Sequence, residues 1–350
     1  MHKAPLPRDE ETHWSILAST RFFLASVVAL GHFALFIHPD FMHLFGGGYL
    51  NPLSAVFGFF VLSGYSIAAS MDRSAKGFFR RRAIRIWPLY LSAIAYGLLV
   101  LLYLPKHFAW PMGGGEPIAP ITFVFALFML QNMFWVPSPP IIGVIWSLSV
   151  EWWLYVCAPI FRRLSSAALG ALVLASFGFY LHAHGYDPSM QAVAGWSDAI
   201  SGRAFFGLAW IWIIGFIYYR IRFTSWGYVL LIAPPLVAAS LGRSPGIPYF
   251  ITAFVLMVSH EISLSARLSR VLNLLGDISY PLYLIQMPTL ALLVVAGVHH
   301  RWLVYPILVL VATAFLYGVD YPARAFFKRR PMERMLATLF PPKALTPEGD

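Results

Sequence analysis

The chain has 350 residues, of which 59% are hydrophobic and 17% aromatic but only 11% charged. Soluble domains carry roughly 45–50% apolar and about 25% charged residues. A soluble globular class is therefore excluded, and apolar runs of about twenty residues along the whole length mark a multi-spanning membrane protein. The formal net charge of +10 does not point to nucleic acid, because Lys and Arg gather on one side of the bilayer, as the positive-inside rule expects.

The first fourteen residues, "MHKAPLPRDEETHW", are mixed in charge and read as a cytoplasmic N-terminal segment. No small-residue cleavage site follows the apolar run at 15–37, so that run is a retained span. It contains "TRFFLASVVALGH", with Arg21 and His32 eleven residues apart. At 100° per residue they fall about 20° from three full turns and share one face, about 16 Å apart along the axis. An intramembrane arginine costs at least about 2.5–3.5 kcal/mol unless it faces a cavity or a partner. The plainer alternative has Arg21 snorkelling to headgroups and His32 bonding a backbone carbonyl.

The second run, 52–71, holds "FGFFVLSGYSIAAS", where Ser63-Gly64 serves either a polar site or close helix packing. The loop after it, "DRSAKGFFRRRAIR", carries Arg73, Lys76, Arg80, Arg81, Arg82 and Arg85. It is the strongest cytoplasmic marker in the chain. Arg81, Arg82 and Arg85 at i, i+1 and i+4 make a cluster able to grip several phosphate oxygens; alone, such a run is also a topology anchor or a lipid-headgroup contact. The third run, 84–104, opens on "RIWPLY", and Pro88 bends it locally.

The fourth run, 119–136, decides the topology. If it crosses, the basic residues divide 11 inside and 13 outside, with Arg21 set aside. If it dips in and returns, the division becomes 20 to 4, leaving only Lys106, Arg203, Arg243 and Arg301 outside. The second arrangement obeys the charge rule. Its sequence "FMLQNMFWVPSPP", with Gln131, Asn132 and three prolines, suits non-helical backbone buried in protein or lining a cavity. The expected fold is an all-α bundle of about ten transmembrane helices, with a re-entrant segment near 119–139 and both termini cytoplasmic.

The run 142–161 contains "VIWSLSVEWWLYV". Glu151 needs a partner or a wet cavity at that depth, and Ser147, four residues earlier, shares its face. Beside a histidine such a carboxylate orients a base; bonded to neighbouring helices, it is structural. The single cysteine, Cys157, rules out an intrachain disulfide or a cysteine metal cluster and reads as a small core residue. Runs at 166–183, 203–219, 225–241 and 247–263 follow. The longest outer connection lies near 184–202, and His182/His184 and His299/His300 fall in outer loops as solvated pairs rather than metal ligands.

The run 272–296 opens on "LGDISYPLYLIQMP", with Asp277, Tyr280, Tyr283 and Gln286; interfacial tyrosines are also ordinary belt residues. The last, 303–323, ends "GVDYPARAFFKRR", where Asp320 and Arg324 form a structural i,i+4 pair. The division is 1–14, a membrane domain over 15–327 and a cytoplasmic tail over 328–350. No internal repeat, P-loop or dinucleotide fingerprint is present.

Together, R-x10-H in the first span, "FFVLSGY", "RRAIRIWPLY", "WSLSVEWWLY", "LGDISYPLYLIQ" and "VDYP" resemble the membrane acyltransferase-3 family, in order and from about Arg21 to Pro322. That family includes O-antigen, nodulation-factor and exopolysaccharide O-acetyltransferases. The resemblance implies transfer of an acyl group, usually acetyl, from cytoplasmic acetyl-CoA or another acyl-CoA to a sugar hydroxyl on a glycan or lipid-linked acceptor, in a bacterial inner membrane and without a metal. It matches His32 to the family's essential histidine, Arg21 to its paired arginine, and Glu151 to the acidic residue of "WSLSVE". Arg81, Arg82 and Arg85 match the cytoplasmic basic motif, with Ser63 and Tyr90 assigned to the same donor site. Trp146, Ser147, Asn132, Tyr280 and Tyr283 are assigned to the acceptor. Two departures stand out: Gln286 occupies a place where the family often has His, and Asp320 one where it often has Glu. The first removes any second essential histidine there. The C-terminal esterase-like domain of some members is not seen, so the chain is expected to act alone or with a separate partner; a homo-oligomer stays open. Two alternatives remain, a transporter with an intramembrane proton relay and an acyltransferase for a non-glycan acceptor such as a macrolide or lipid.

Overall fold

The structure, a computed structural model, describes residues 8–45, 50–105, 108, 120–131, 138–183 and 204–328. Among these, every regular element is helical and no strand occurs. The helices are α1 (Arg8–Phe36), α2 (Pro52–Arg73), α3 (Phe78–Tyr103), α4 (Pro120–Leu127), α5 (Ile145–Arg163), α6 (Ser166–Ala183), α7 (Ala204–Ile221), α8 (Ser225–Ser240), α9 (Ile247–Val258), α10 (Ala266–Val295), α11 (Arg301–Phe315) and α12 (Tyr321–Lys328). A π turn, Leu316–Asp320, joins the last two without a break.

Each of the ten runs read as spans falls on a helix, yet only six of these helices are long and apolar enough to cross a membrane: α1, α2, α3, α7, α10 and the continuous α11–α12. α5 carries Glu151, Arg162 and Arg163 within its nineteen residues. α8 and α9 have sixteen and twelve residues, about 24 and 18 Å at the helical rise, against a hydrocarbon core of about 30 Å. α1 begins at Arg8, so the segment expected to precede the first span is partly helix, and Trp14 belongs to it.

The centre is built by α1 lying along α10 and α2 lying along α7, with Gly276 of α10 against Ala18 of α1, and Gly64 of α2 against the α7 backbone at Trp212. Lipid offers no hydrophobic drive between helices, so close backbone approach at small residues supplies the packing. This is the role that the Ser63-Gly64 pair was read as able to play.

α4 has eight residues, about 12 Å of helix, too short to cross. Beyond it the chain leaves helical geometry, and side chains of neighbouring helices satisfy its carbonyls. Ser149 Oγ and Trp153 Nε1 donate to Met129 O at 2.9 and 2.8 Å, and Ser149 also reaches Gln131 O at 2.8 Å. Tyr90 donates to Ala126 O at 2.6 Å, and Gln131 Nε2 donates to Tyr90 Oη and Ile145 O, both at 3.1 Å. Irregular backbone is tolerated at membrane depth where protein satisfies it in this way.

Candidate active site

A cavity of about 220 Å³ opens among α1, α2, α3, α5 and α10. Four arginines and one carboxylate line it: Arg21, Arg73, Arg82, Arg85 and Glu151. In a bundle this apolar, such a concentration of cationic groups is costly unless an anion neutralises it.

α1 places Arg21 on its inward face, where it donates to Ser66 Oγ of α2 at 2.6 Å. Ser66 Oγ in turn donates to Leu62 O at 2.7 Å. Arg82 of α3 lies above the rings of Phe78 and Tyr155, 5.7 and 5.9 Å from their centroids. Its Nε is buried and has no hydrogen-bond partner among the described residues. Arg85, one turn on, is more exposed. Arg73 closes α2 at the cavity mouth, stacked 4.8 Å above Trp14 and 3.6 Å from Glu10.

Glu151 is held at the far side by a directed chain of hydrogen bonds. Trp212 Nε1 of α7 can only donate, and does so to Ser63 Oγ at 3.1 Å. Ser63 meets Tyr155 Oη at 3.1 Å, and Tyr155 donates to Glu151 Oε1. With both ends fixed, Ser63 must donate to Tyr155, and every donor in the chain points toward the carboxylate.

On the α10 side, the Tyr283 hydroxyl lies 2.6 Å from Ser147 Oγ and 3.1 Å from Val144 O, and Tyr280 donates to Ile86 O at 3.0 Å. Farther along α10, Gln286 is wholly buried, and its Nε2 donates to Tyr283 O at 2.9 Å. Gln286 Oε1 lies 3.2 Å from His32 Nδ1. His32 is 2% exposed; it does not line the cavity but is tied to it through Gln286 and the Tyr283 backbone.

Of the residues named from sequence, the cavity gathers Arg21, Arg82, Arg85, Ser63, Glu151, Ser147, Tyr280 and Tyr283. Arg81 is turned away, donating to Ser74 O and Lys76 O of the preceding loop, both at 2.5 Å. Gly77, in the left-handed region at φ 69°, lets the chain turn tightly enough to present those carbonyls. Tyr90 is committed to the α4 segment, and Trp146 is core. Asn132 lies outside the described residues. Glu151 accepts from Tyr155, and His32 bonds Gln286 and the Val28 backbone, so no direct Glu151–His32 bond among the described residues supports the expectation that the carboxylate orients the imidazole. Residues not anticipated are Tyr155, Ser66, Arg73 and Trp14; of these, Tyr155 sits four residues after Glu151, a same-face spacing readable in "EWWLY".

Below the cavity, Asp320 is fully buried and takes Arg324 Nε and a terminal guanidinium nitrogen at 2.8 and 2.5 Å. Arg324 also lies 3.6 Å from Asp277, which accepts from Tyr321 Oη at 3.0 Å. The expected Asp320–Arg324 pair is thus part of a four-residue cluster joining α10 to α12. No group of three or more metal-ligating side chains occurs among the described residues.

The acyltransferase domain family matches residues 17–320 of this chain. That stretch takes in every lining residue of the cavity except Trp14, and both His32 and Gln286. No curated protein and no solved structure matches. The chain belongs to this acyltransferase family, and with its apolar helices it is an integral membrane protein.

Proposed function

We propose that this member of the acyltransferase family is a membrane-embedded O-acyltransferase that moves an acyl group, most simply acetyl, from cytoplasmic acyl-CoA to a sugar hydroxyl of a surface or exported glycan. The observation that carries the reading is the cavity of four arginines and one carboxylate, joined through Tyr283 and Gln286 to a buried histidine.

The arginines suit the phosphates of coenzyme A, a dense polyanion that bidentate guanidinium groups bind well. Arg82, with its buried Nε lacking a protein partner, and Arg85 are the residues for that role. The pantetheine arm then runs inward past Arg21, and the helical rise puts His32 about 16 Å beyond Arg21. His32 removes the proton of the acceptor hydroxyl. The oxygen attacks the thioester carbonyl, a C–O bond forms and the C–S bond breaks. The departing thiolate takes the proton back from the imidazolium, so ester and free thiol are the products. Both termini and the arginine mouth would face the cytoplasm, and the membrane would be a bacterial inner membrane.

The test is transfer from radiolabelled acetyl-CoA by purified protein in liposomes, with His32→Ala as the control. Label in an acceptor, lost in the variant, supports the reading. Label retained at the full rate in His32→Ala overturns it, and no turnover of acetyl-CoA beside proton-coupled flux would favour a transporter.

A further inference from the structure

We infer that Gln286 is a positioning residue that fixes the tautomer of His32, with the proton on Nδ1 and the basic lone pair on Nε2. The inference rests on the proposed role of His32 as base.

The argument begins at a group whose polarity cannot be reversed. Tyr283 O is a backbone carbonyl and only accepts, so the atom of Gln286 lying 2.9 Å from it is the amide NH2. That assignment leaves Oε1 facing His32 Nδ1 at 3.2 Å. An amide oxygen also only accepts, so Nδ1 carries hydrogen. In a neutral imidazole one nitrogen donates and the other accepts, which makes Nε2 the proton acceptor. The relay is buried throughout, with Gln286 at 0% and His32 at 2% exposure, so water does not compete for either bond.

The far end is equally fixed. The Tyr283 ring is anchored by its hydroxyl to Ser147 and Val144 at the start of α5, so the segment that sets the tautomer is the one that lines the cavity. A neutral amide holds the ring without adding charge. A carboxylate at the same position would also accept from Nδ1 but would stabilise the imidazolium. A glutamine thus holds the tautomer without adding charge, beside the Val28 backbone of α1 that also bonds the ring.

Two variants and one spectrum test this. Gln286→Leu keeps the volume near constant and removes the side-chain acceptor, leaving only the Val28 backbone. Its kcat should fall roughly tenfold or more, the order found when the partner that orients a metal-bound imidazole is lost, while the Kd for acetyl-CoA stays within about twofold, since the arginines are untouched. Gln286→Glu should keep the tautomer and recover activity over the leucine variant, with the acid limb of its kcat profile displaced upward by about one to two pH units. Imidazole 15N shifts of histidine-labelled protein in nanodiscs, with His32 assigned by its loss in His32→Asn, should report Nδ1 protonated and Nε2 bare; this needs no turnover. A wild-type kcat in Gln286→Leu, an unmoved acid limb in Gln286→Glu, or protonated Nε2 in the neutral ring would each overturn the inference. Full transfer by His32→Ala would instead remove the base role, leaving the tautomer to be decided by the nitrogen shifts alone.

Discussion

Gly64 of α2 and Gly215 of α7 are pressed into each other's backbones: a Cβ on Gly64 would collide with the Trp212 carbonyl, and one on Gly215 with that of Val61. Neither obstacle is a side chain that can swing away. Gly64→Ala and Gly215→Ala should therefore each destabilise the bundle by at least about 1–3 kcal/mol, the usual range for overpacking. Thermal unfolding in detergent checks this, and an unshifted midpoint in both would show that the α2–α7 contact is looser than drawn.

The basic run should divide sharply under substitution. Arg82→Ala removes a guanidinium lining the cavity, whereas Arg81→Ala removes one already bonded to Ser74 O and Lys76 O outside it. Charge-assisted bonds contribute about 1.5–3 kcal/mol each. Calorimetry with acetyl-CoA should show affinity falling more than tenfold in Arg82→Ala and less than threefold in Arg81→Ala. Equal losses would refute the division.

Glu151→Gln should separate binding from turnover. Removing the one carboxylate among four arginines takes away repulsion toward a polyanionic donor, so acetyl-CoA should bind as tightly as before or more tightly. Transfer should drop at least tenfold, because the hydrogen-bonded chain from Trp212 then ends on a neutral amide. Weaker binding with normal turnover is the opposite of what the geometry requires.

Topology has a direct readout. An alkaline phosphatase fusion after Arg163 should be inactive and a green fluorescent protein fusion there bright, because an eight-residue α4 cannot carry the chain across. Phosphatase activity at that site would reverse the orientation of everything after α4.

The fold class and the positions of the long helices were legible because apolar length and basic loops follow from the bilayer itself. Arg21 and Glu151 were legible as buried charges for the same reason, and the structure brings both to one cavity. Arg81 and Arg82 were not separable by spacing: which arginine enters the cavity depends on carbonyls of the loop turned by Gly77, a conformation with no periodic signature. The bond of Tyr90 was not legible because its partner, Ala126 O, belongs to a short helix 36 positions away in sequence. Gln286 was noted only as the absence of a histidine; its bond to His32 joins residues 254 positions apart, which no local pattern encodes. Four of the ten expected spans lie on helices that are shorter or more charged than the other six, because an apolar run in sequence does not fix where its helix begins and ends.

The π turn at Leu316–Asp320 has a consequence for how this chain tolerates change in length. A π turn behaves as one residue inserted into an α-helix, and Gly318 within it has nothing packed against its Cβ position. Deleting Gly318 would take that residue out and leave the last helix in phase, whereas winding the same residues as regular α-helix would rotate everything beyond by about 100°. Arg324 would then leave Asp277, and Tyr321 with it. The last helix is therefore out of phase by design: its outer part is set by lipid, its inner part by two aspartates, and the extra residue reconciles two rotational settings that a regular helix cannot meet at once.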